Sequence, residues 1–250
     1  LIEFLLQSQF ATALFGTLYA RWSGYEHTAS FTTPFAHALQ AQLKQALDSG
    51  CQIGVMEVSS HALAQKRVWG CPFEVAVFTN LTQDHLDYHR DLEDYFQAKS
   101  LLFGPDYLKG RAVINLDDPF GQKLLSLTTN SANSTVWTYS LENPQADFYT
   151  ENLTYSPNGV QGTLHTPAGK MSLRSPLVGG FNVYNVMAAI ATCVHLGISL
   201  DRIAAQLPKF SSVPGRVERV QVSPNQDITV VVDYAHTPDA LTAALDSLRP

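Results

Sequence analysis

A carboxylate, an imidazole and a lysine fall within residues 56–99 at places where a folded chain can bring them together. Glu57 closes the apolar run Gln52 to Val58. His85 follows the apolar run Glu74 to Thr79, inside Asn80-Leu81-Thr82-Gln83-Asp84-His85-Leu86-Asp87-Tyr88-His89. One hard oxygen ligand and one ring nitrogen, with several waters retained, suit a Mg2+ ion that holds phosphates. Plainer roles are open to the same residues: Glu57 can cap a helix starting at Ser60, and His85 can satisfy a loop carbonyl. His85 and His89 stand four apart with Asp84 and Asp87 nearby, the pattern of a metallohydrolase. A catalytic zinc site needs three protein ligands, however, and no H-E-x-x-H or comparable third ligand is evident; His89 is read as a surface or supporting residue. Thr32 and Thr33 offer hydroxyls in a loop, and Arg67 has a planar fork suited to phosphate. Alternatively the threonines cap the helix after Pro34 and Arg67 is a surface charge. Lys99 lies in a helical pattern, where a solvated face is the default.

These groups need strands that end at one edge, because ligands of open α/β sheets bind outside the carboxyl ends of the strands. The spacing predicts a helix from Leu1 to Phe10, a strand from Ala13 to Gly16, a loop from Ser23 to Thr33 and a helix from Pro34 to Leu47. Strand and helix patterns then alternate through Gln52 to Val58, Leu63 to Val68, Glu74 to Thr79, Asp91 to Phe103, Arg111 to Asn115, Pro119 to Leu127 and Ser134 to Tyr139. The expected fold class is therefore α/β, a mainly parallel sheet flanked by helices. From Phe148 to Leu177, Pro157-Asn158-Gly159 and Pro167-Ala168-Gly169 punctuate a small antiparallel meander. Helices from Asn182 to Leu196 and Asp201 to Leu207 follow, then a linker, Ser211 to Gly215. Val217 to Val222 and Ile228 to Val232 begin a second α/β domain, with a helix from Asp239 that stops at Pro250 with nothing to pack against. The division expected is 1–212 and 213–250. Leu1 falls inside a helical pattern with no N-cap, so both units are expected to be truncated.

The 250 residues are 45% apolar and 15% charged, with a formal charge of -6, which suits a globular protein and gives no electrostatic reason to expect nucleic acid. Cys51, Cys71 and Cys193 are widely spaced and form no C-x-x-C pattern, as in a cytoplasmic protein without a disulfide framework. No apolar run approaches the roughly 20 residues that span a bilayer, so no membrane partner is expected.

The blocks Thr32-Thr33-Pro34, Met56 to His61, Asn80 to His89, Ala98-Lys99, Gly180 to Asn185, Pro214 to Glu218 and Asp233 to Leu241 resemble, in order, those of the ATP-dependent Mur ligases. The likeness is strongest to the branch that adds the third residue of the peptidoglycan stem peptide. The resemblance implies Mg2+ bound by Glu57 and His85, and a Lys99 carbamylated to an anion that helps place the metal. It also implies contacts of Thr32, Thr33, Ser59, Gln65 and Arg67 with a UDP-N-acetylmuramoyl dipeptide, and of Asn182, Arg216, Asp233 and His236 with ATP. The implied reaction phosphorylates a carboxylate, and an amine, meso-diaminopimelate or L-lysine, then attacks the acyl phosphate; the whole enzyme is expected to be monomeric. No G-x-x-x-x-G-K-[ST] is present, so the backbone cradle for ATP phosphates is missing and this chain alone is expected to be inactive. Folylpolyglutamate synthase or a neighbouring Mur ligase is the nearest alternative. A metallohydrolase or a silent nucleotide-binding module is the alternative of another class.

Overall fold

Two hydrogen-bonded sheets carry most of the chain in the computed structural model, which describes residues 1–128, 135–220, 222–223 and 226–248. Helix α1 (Ile2–Leu6) leads into β1 (Thr12–Phe15), β2 (Tyr19–Trp22) and β3 (Tyr25–Thr28). After α2 (Ala36–Asp48), β4 (Ile53–Met56) returns parallel to β1. The crossover is needed because parallel strands cannot be joined by a tight turn. The order is β3-β2-β1-β4. Phe15 lies opposite Met56, and the Glu57 amide donates to the Phe15 carbonyl at 2.8 Å. The residues after β1 and β4 therefore leave the sheet side by side.

The stretch expected as loop from Ser23 to Thr33 holds a strand. Tyr25–Thr28 pairs antiparallel with Tyr19–Trp22, and Trp22 stacks on Tyr25 with ring centroids 4.1 Å apart. Ser23-Gly24 makes the turn, with Gly24 at φ +77°, a conformation that glycine adopts without a Cβ clash.

The six-stranded sheet has the order β10-β9-β8-β7-β6-β5. Helix α3 (Ser60–Ala64), shorter than and earlier than the expected Leu63 to Val68, precedes β5 (Phe73–Phe78). Then come α4 (Leu92–Ser100), β6 (Leu108–Asn115), α5 (Pro119–Thr128), β7 (Thr135–Ser140), β8 (Phe148–Ser156), β9 (Gly159–Thr166) and β10 (Gly169–Ser175). The pairs from β5 to β8 are parallel, and β8 to β10 form the antiparallel meander. Ser134, the expected first residue of β7, lies outside the described residues.

Helix α6 (Gly180–His195) is apolar almost all round, so it is buried. Val183, Val186, Met187 and Ile190 are fully covered, in one cluster with Val113, Tyr139 and Phe148 from the sheet. Each such side chain contributes roughly 1.5–3 kcal/mol by leaving water. The helix begins at Gly180, two residues before the expected Asn182, with Gly179 as N-cap. At its far end His195 is held between Glu74 and Arg111. Its Nε2 lies 2.8 Å from Glu74 Oε1, and Arg111 Nε donates to its Nδ1 at 3.0 Å. The Arg111 guanidinium also lies 3.7 Å from the Trp137 ring centroid. This ties α6 to the edge of the sheet opposite the strand ends.

Helix α7 (Leu200–Gln206) follows, then a two-stranded sheet of β11 (Glu218–Val220) and β12 (Val230–Val232), and α8 (Pro238–Leu248). Contrary to expectation α8 does have something to pack against. Ala244 is buried, and Ser247 lies over Gly179, where a Cβ would come within 2.6 Å of the serine Cβ. Pro250 is outside the described residues. Among those described, no helix is long and apolar enough to cross a membrane.

Candidate functional site

The turn after β4 and the loop before α2 are joined through side chains. Glu57 Oε2 accepts from the Thr17 amide at 3.0 Å and from the Thr17 hydroxyl at 2.6 Å. Thr17 Oγ1 is 3.1 Å from Thr32 Oγ1. Thr33 is fully buried; its hydroxyl donates to the Glu57 carbonyl at 2.8 Å and accepts from the Ser59 amide at 3.0 Å. Arg67 donates from Nη1 to the Thr33 carbonyl at 3.0 Å, and from Nε and Nη2 to Gln65 Oε1 at 2.9 and 2.7 Å. Its guanidinium lies 4.3 Å from the Phe35 ring centroid. Thr32, Thr33, Glu57, Ser59, Gln65 and Arg67 thus form one connected group. The capping roles are not seen: Ser59, not Glu57, caps α3 by accepting from Ala62 N, and α2 has no side-chain cap, while Arg67 is half-buried.

The second cluster lies on the loop after β5 and on α4. His85 has φ +56°, a left-handed conformation that is uncommon outside glycine. Its ring is 5.0 Å from that of His61 and 5.7 Å from that of Tyr95. Lys99 Nζ lies 4.9 Å from the Tyr95 ring centroid, so Tyr95 is a shared platform for both candidate residues. Burial pushes the Lys99 ammonium below its ordinary pKa, with Asp84 working the other way. Lys99 is half-buried on α4. Burial, and Asp84 after it, pushes the Tyr95 phenol up to about 12. Burial, then His85 and His89, lowers His61. His89, read as a surface or supporting residue, is buried, 2.9 Å from Ser60 Oγ and stacked on Tyr95, so the surface alternative falls.

A cleft of about 750 Å3 opens at the strand ends, lined among others by Glu57, Asn80, Asn182, Arg216 and Asp233. It gathers residues from the sheets, α6 and the second unit, while His85, Lys99 and His236 do not line it. Asn182 is buried; its Nδ2 donates to the Val178 carbonyl at 2.8 Å and its Oδ1 accepts from Asn185 at 3.3 Å. One N–H and one lone pair of the amide remain. Asp233 accepts from the amides of Val217 and Ala235, both at 2.7 Å, which fixes the start of the second unit. His236 Nδ1 is 2.9 Å from the Tyr234 carbonyl, so that nitrogen donates and Nε2 is left without this partner.

By donor type, one carboxylate and one imidazole suit a hard divalent cation. Both bonds to the Glu57 carboxylate fall on Oε2, which leaves Oε1 available, and the His85 side chain is 40% exposed. Among the described residues no group of three His, Cys, Asp or Glu is placed to hold a metal ion. Mg2+ retains several waters and takes few protein ligands, whereas zinc wants three or four. Sequence reasoning missed Thr17 and Tyr95. The rule that places ligands beyond strand ends, applied to the strand ending at Gly16, points directly at Thr17.

Residues 1–193 match the family model described as Mur ligase middle domain, and residues 215–250 the one described as Mur ligase, glutamate ligase domain. The chain is 60% identical over 251 residues to the UDP-N-acetylmuramoyl-L-alanyl-D-glutamate–2,6-diaminopimelate ligase of Trichormus variabilis, with 100% of this chain and 50% of the relative aligned. It is 57% identical over 251 residues to the ligase of that name from Synechocystis sp., covering 100% of this chain and 49% of the relative. It thus spans about half the length of the curated relatives it matches. A solved ligase of the same name superposes with a TM-score of 0.83 at 37% identity, over 99% of this chain and 50% of that one. Mycobacterium tuberculosis folylpolyglutamate synthase complexed with ADP superposes at 0.76 with 20% identity, over 99% and 61%, a likeness of fold alone.

Proposed function

The chain belongs to the Mur ligase family, and from that membership we propose that it supplies the metal- and nucleotide-handling part of an ATP-dependent amide ligase. The substrates proposed are UDP-N-acetylmuramoyl-L-alanyl-D-glutamate and diaminopimelate, and the setting is peptidoglycan synthesis in the cytoplasm. Diaminopimelate is preferred over L-lysine because relatives 57–60% identical to this chain carry it in their names. Residues 1–212 and 213–250 are assigned to the middle and second domains.

The observation that carries the reading is the linkage of Glu57 to Thr32, Thr33 and, through Thr33, to Arg67, beside the cleft that holds Asn182, Arg216 and Asp233. A carboxylate oxygen of the dipeptide attacks the γ-phosphorus of ATP and ADP leaves; the amine nitrogen then attacks the acyl carbon, and the tetrahedral intermediate expels phosphate, which takes up the proton the nitrogen loses, as it closes to the amide. Mg2+, when bound, supplies charge neutralisation for the phosphates. Glu57 and His85 are proposed to hold it, joined by Lys99 once carbamylated. Thr32, Thr33, Ser59, Gln65 and Arg67 orient the nucleotide-sugar, and Asn182, Arg216, Asp233 and His236 orient ATP. Catalysis then rests on position and on charge arranged in advance. The test is phosphate release by the whole protein, which should require the UDP-linked dipeptide and diaminopimelate together. Equal release with L-lysine, or release without the dipeptide, would reject it.

A further inference from the structure

Thr17 follows β1 and is exposed, yet its hydroxyl and amide both point at Glu57. A Cβ at the neighbouring Gly16 would stand 3.3 Å from Glu57 Cδ, so the carboxylate lies close against the end of β1 as well as in the two-point clamp of Thr17. A carboxylate only accepts hydrogen bonds, and a threonine hydroxyl has one proton. The Thr17 proton is therefore committed to Glu57 Oε2, at 2.6 Å. The 3.1 Å contact with Thr32 must then have Thr32 as donor. That uses the only proton Thr32 has.

We propose that Thr17 is a positioning residue that runs an ordered chain of hydrogen bonds from Thr32 through Thr17 to Glu57. It holds Oε2 so that Oε1 faces the cation, and it leaves Thr32 as a pure acceptor. Thr32 consequently recognises an O–H or N–H of the nucleotide-sugar, and does not donate to one of its phosphate oxygens. This rests on the proposed role of Glu57 as a cation ligand. The clamp also links the two substrates' sites physically, since one hydroxyl touches both the metal-side carboxylate and the sugar-side threonine.

The test uses the whole protein with Thr17→Val, Thr17→Ala, Thr17→Ser and Glu57→Gln. Mn2+ binding is followed by the loss of the free-ion EPR signal, alongside kcat and the separate KM values. Thr17→Val keeps the amide bond and loses the hydroxyl bond, so Mn2+ affinity should fall about tenfold. With Mg2+ saturating, KM for the UDP-linked dipeptide should rise, KM for ATP should hold, and Thr17→Ser should restore both readouts. Thr17→Ala should match Thr17→Val, which separates the hydroxyl from any strain of the valine side chain. In Thr17→Val/Thr32→Val the KM effects should be less than additive. Wild-type Mn2+ affinity in Thr17→Val, a Thr17→Ser variant as impaired as Thr17→Val, or additive KM effects would overturn the proposal. Wild-type Mn2+ affinity in Glu57→Gln would place the failure in the cation reading itself, and the proposal falls with it.

Discussion

Replacing Arg67 by alanine separates recognition of the nucleotide-sugar from recognition of ATP. The guanidinium has five N–H donors. Three are used inside the protein, two on Gln65 Oε1 and one on the Thr33 carbonyl. Two remain, on different nitrogens of the same fork, for an anionic group of the ligand. A hydrogen bond to a charged group contributes about 1.5–3 kcal/mol, so losing two costs about 3 kcal/mol at the low end. At about 1.4 kcal/mol per tenfold, KM for the UDP-linked dipeptide should rise roughly 100-fold. Loss of the Thr33 bond and of the stacking on Phe35 destabilises the fold by about 1–2 kcal/mol, which leaves it folded. Arg67→Lys should recover charge but not the fork, and so only part of the affinity. Steady-state kinetics with each substrate varied in turn is the assay. A larger change in KM for ATP than for the dipeptide would refute the argument.

Lys99→Ala should lower turnover roughly 100-fold with little change in dipeptide binding, and Lys99→Arg should not rescue it; near-normal turnover at limiting Mg2+ would count against a carbamate at this position. Gly121→Ala should destabilise the chain by about 2–3 kcal/mol or more, read as a drop in Tm, because the added Cβ would stand 1.9 Å from the Asn115 carbonyl oxygen where α5 starts against β6. Burial pushes the Cys193 thiol up to about 12 from 9.0, so iodoacetamide at pH 8.5 should label it only after unfolding; fast labelling of the folded chain would contradict the burial. The folded pKa is the higher one, so the stability this thiol contributes is complete below pH 9.0 and is lost as pH rises toward about 12; Cys193→Ala should flatten that alkaline decline.

The site was legible where chemistry and strand ends coincide in sequence. Glu57 and His85 stand out because a polar residue closes an apolar run, and Thr33 because its neighbours mark a loop before a helix. Thr17 was not legible from type alone, since a threonine after a short apolar run is commonplace and its partner lies 40 residues away. Hairpin β2–β3 was hidden by its polar tip, although the alternation of Tyr19 to Trp22, half-buried and buried by turns, carries the strand period. For His89 the sequence leaves a surface and a supporting role open, because its burial comes from contacts to Ser60 on one helix and Tyr95 on another. Local pattern cannot report such long-range packing. The start of α6 was misplaced because Asn182 is a good cap by type, whereas Gly179, at φ +90°, took the position.

The Thr33 hydroxyl joins the loop before α2 to both sides of the turn after β4, through the Glu57 carbonyl and the Ser59 amide. Loop opening therefore frees the Ser59 proton to trade with solvent, and loop closure shelters it. The exchange lifetime of that single amide becomes a clock for the loop, readable without any label on the ligand. Slowing of the clock when the nucleotide-sugar is added, with no change on adding ATP, would show which of the two substrates the loop waits for.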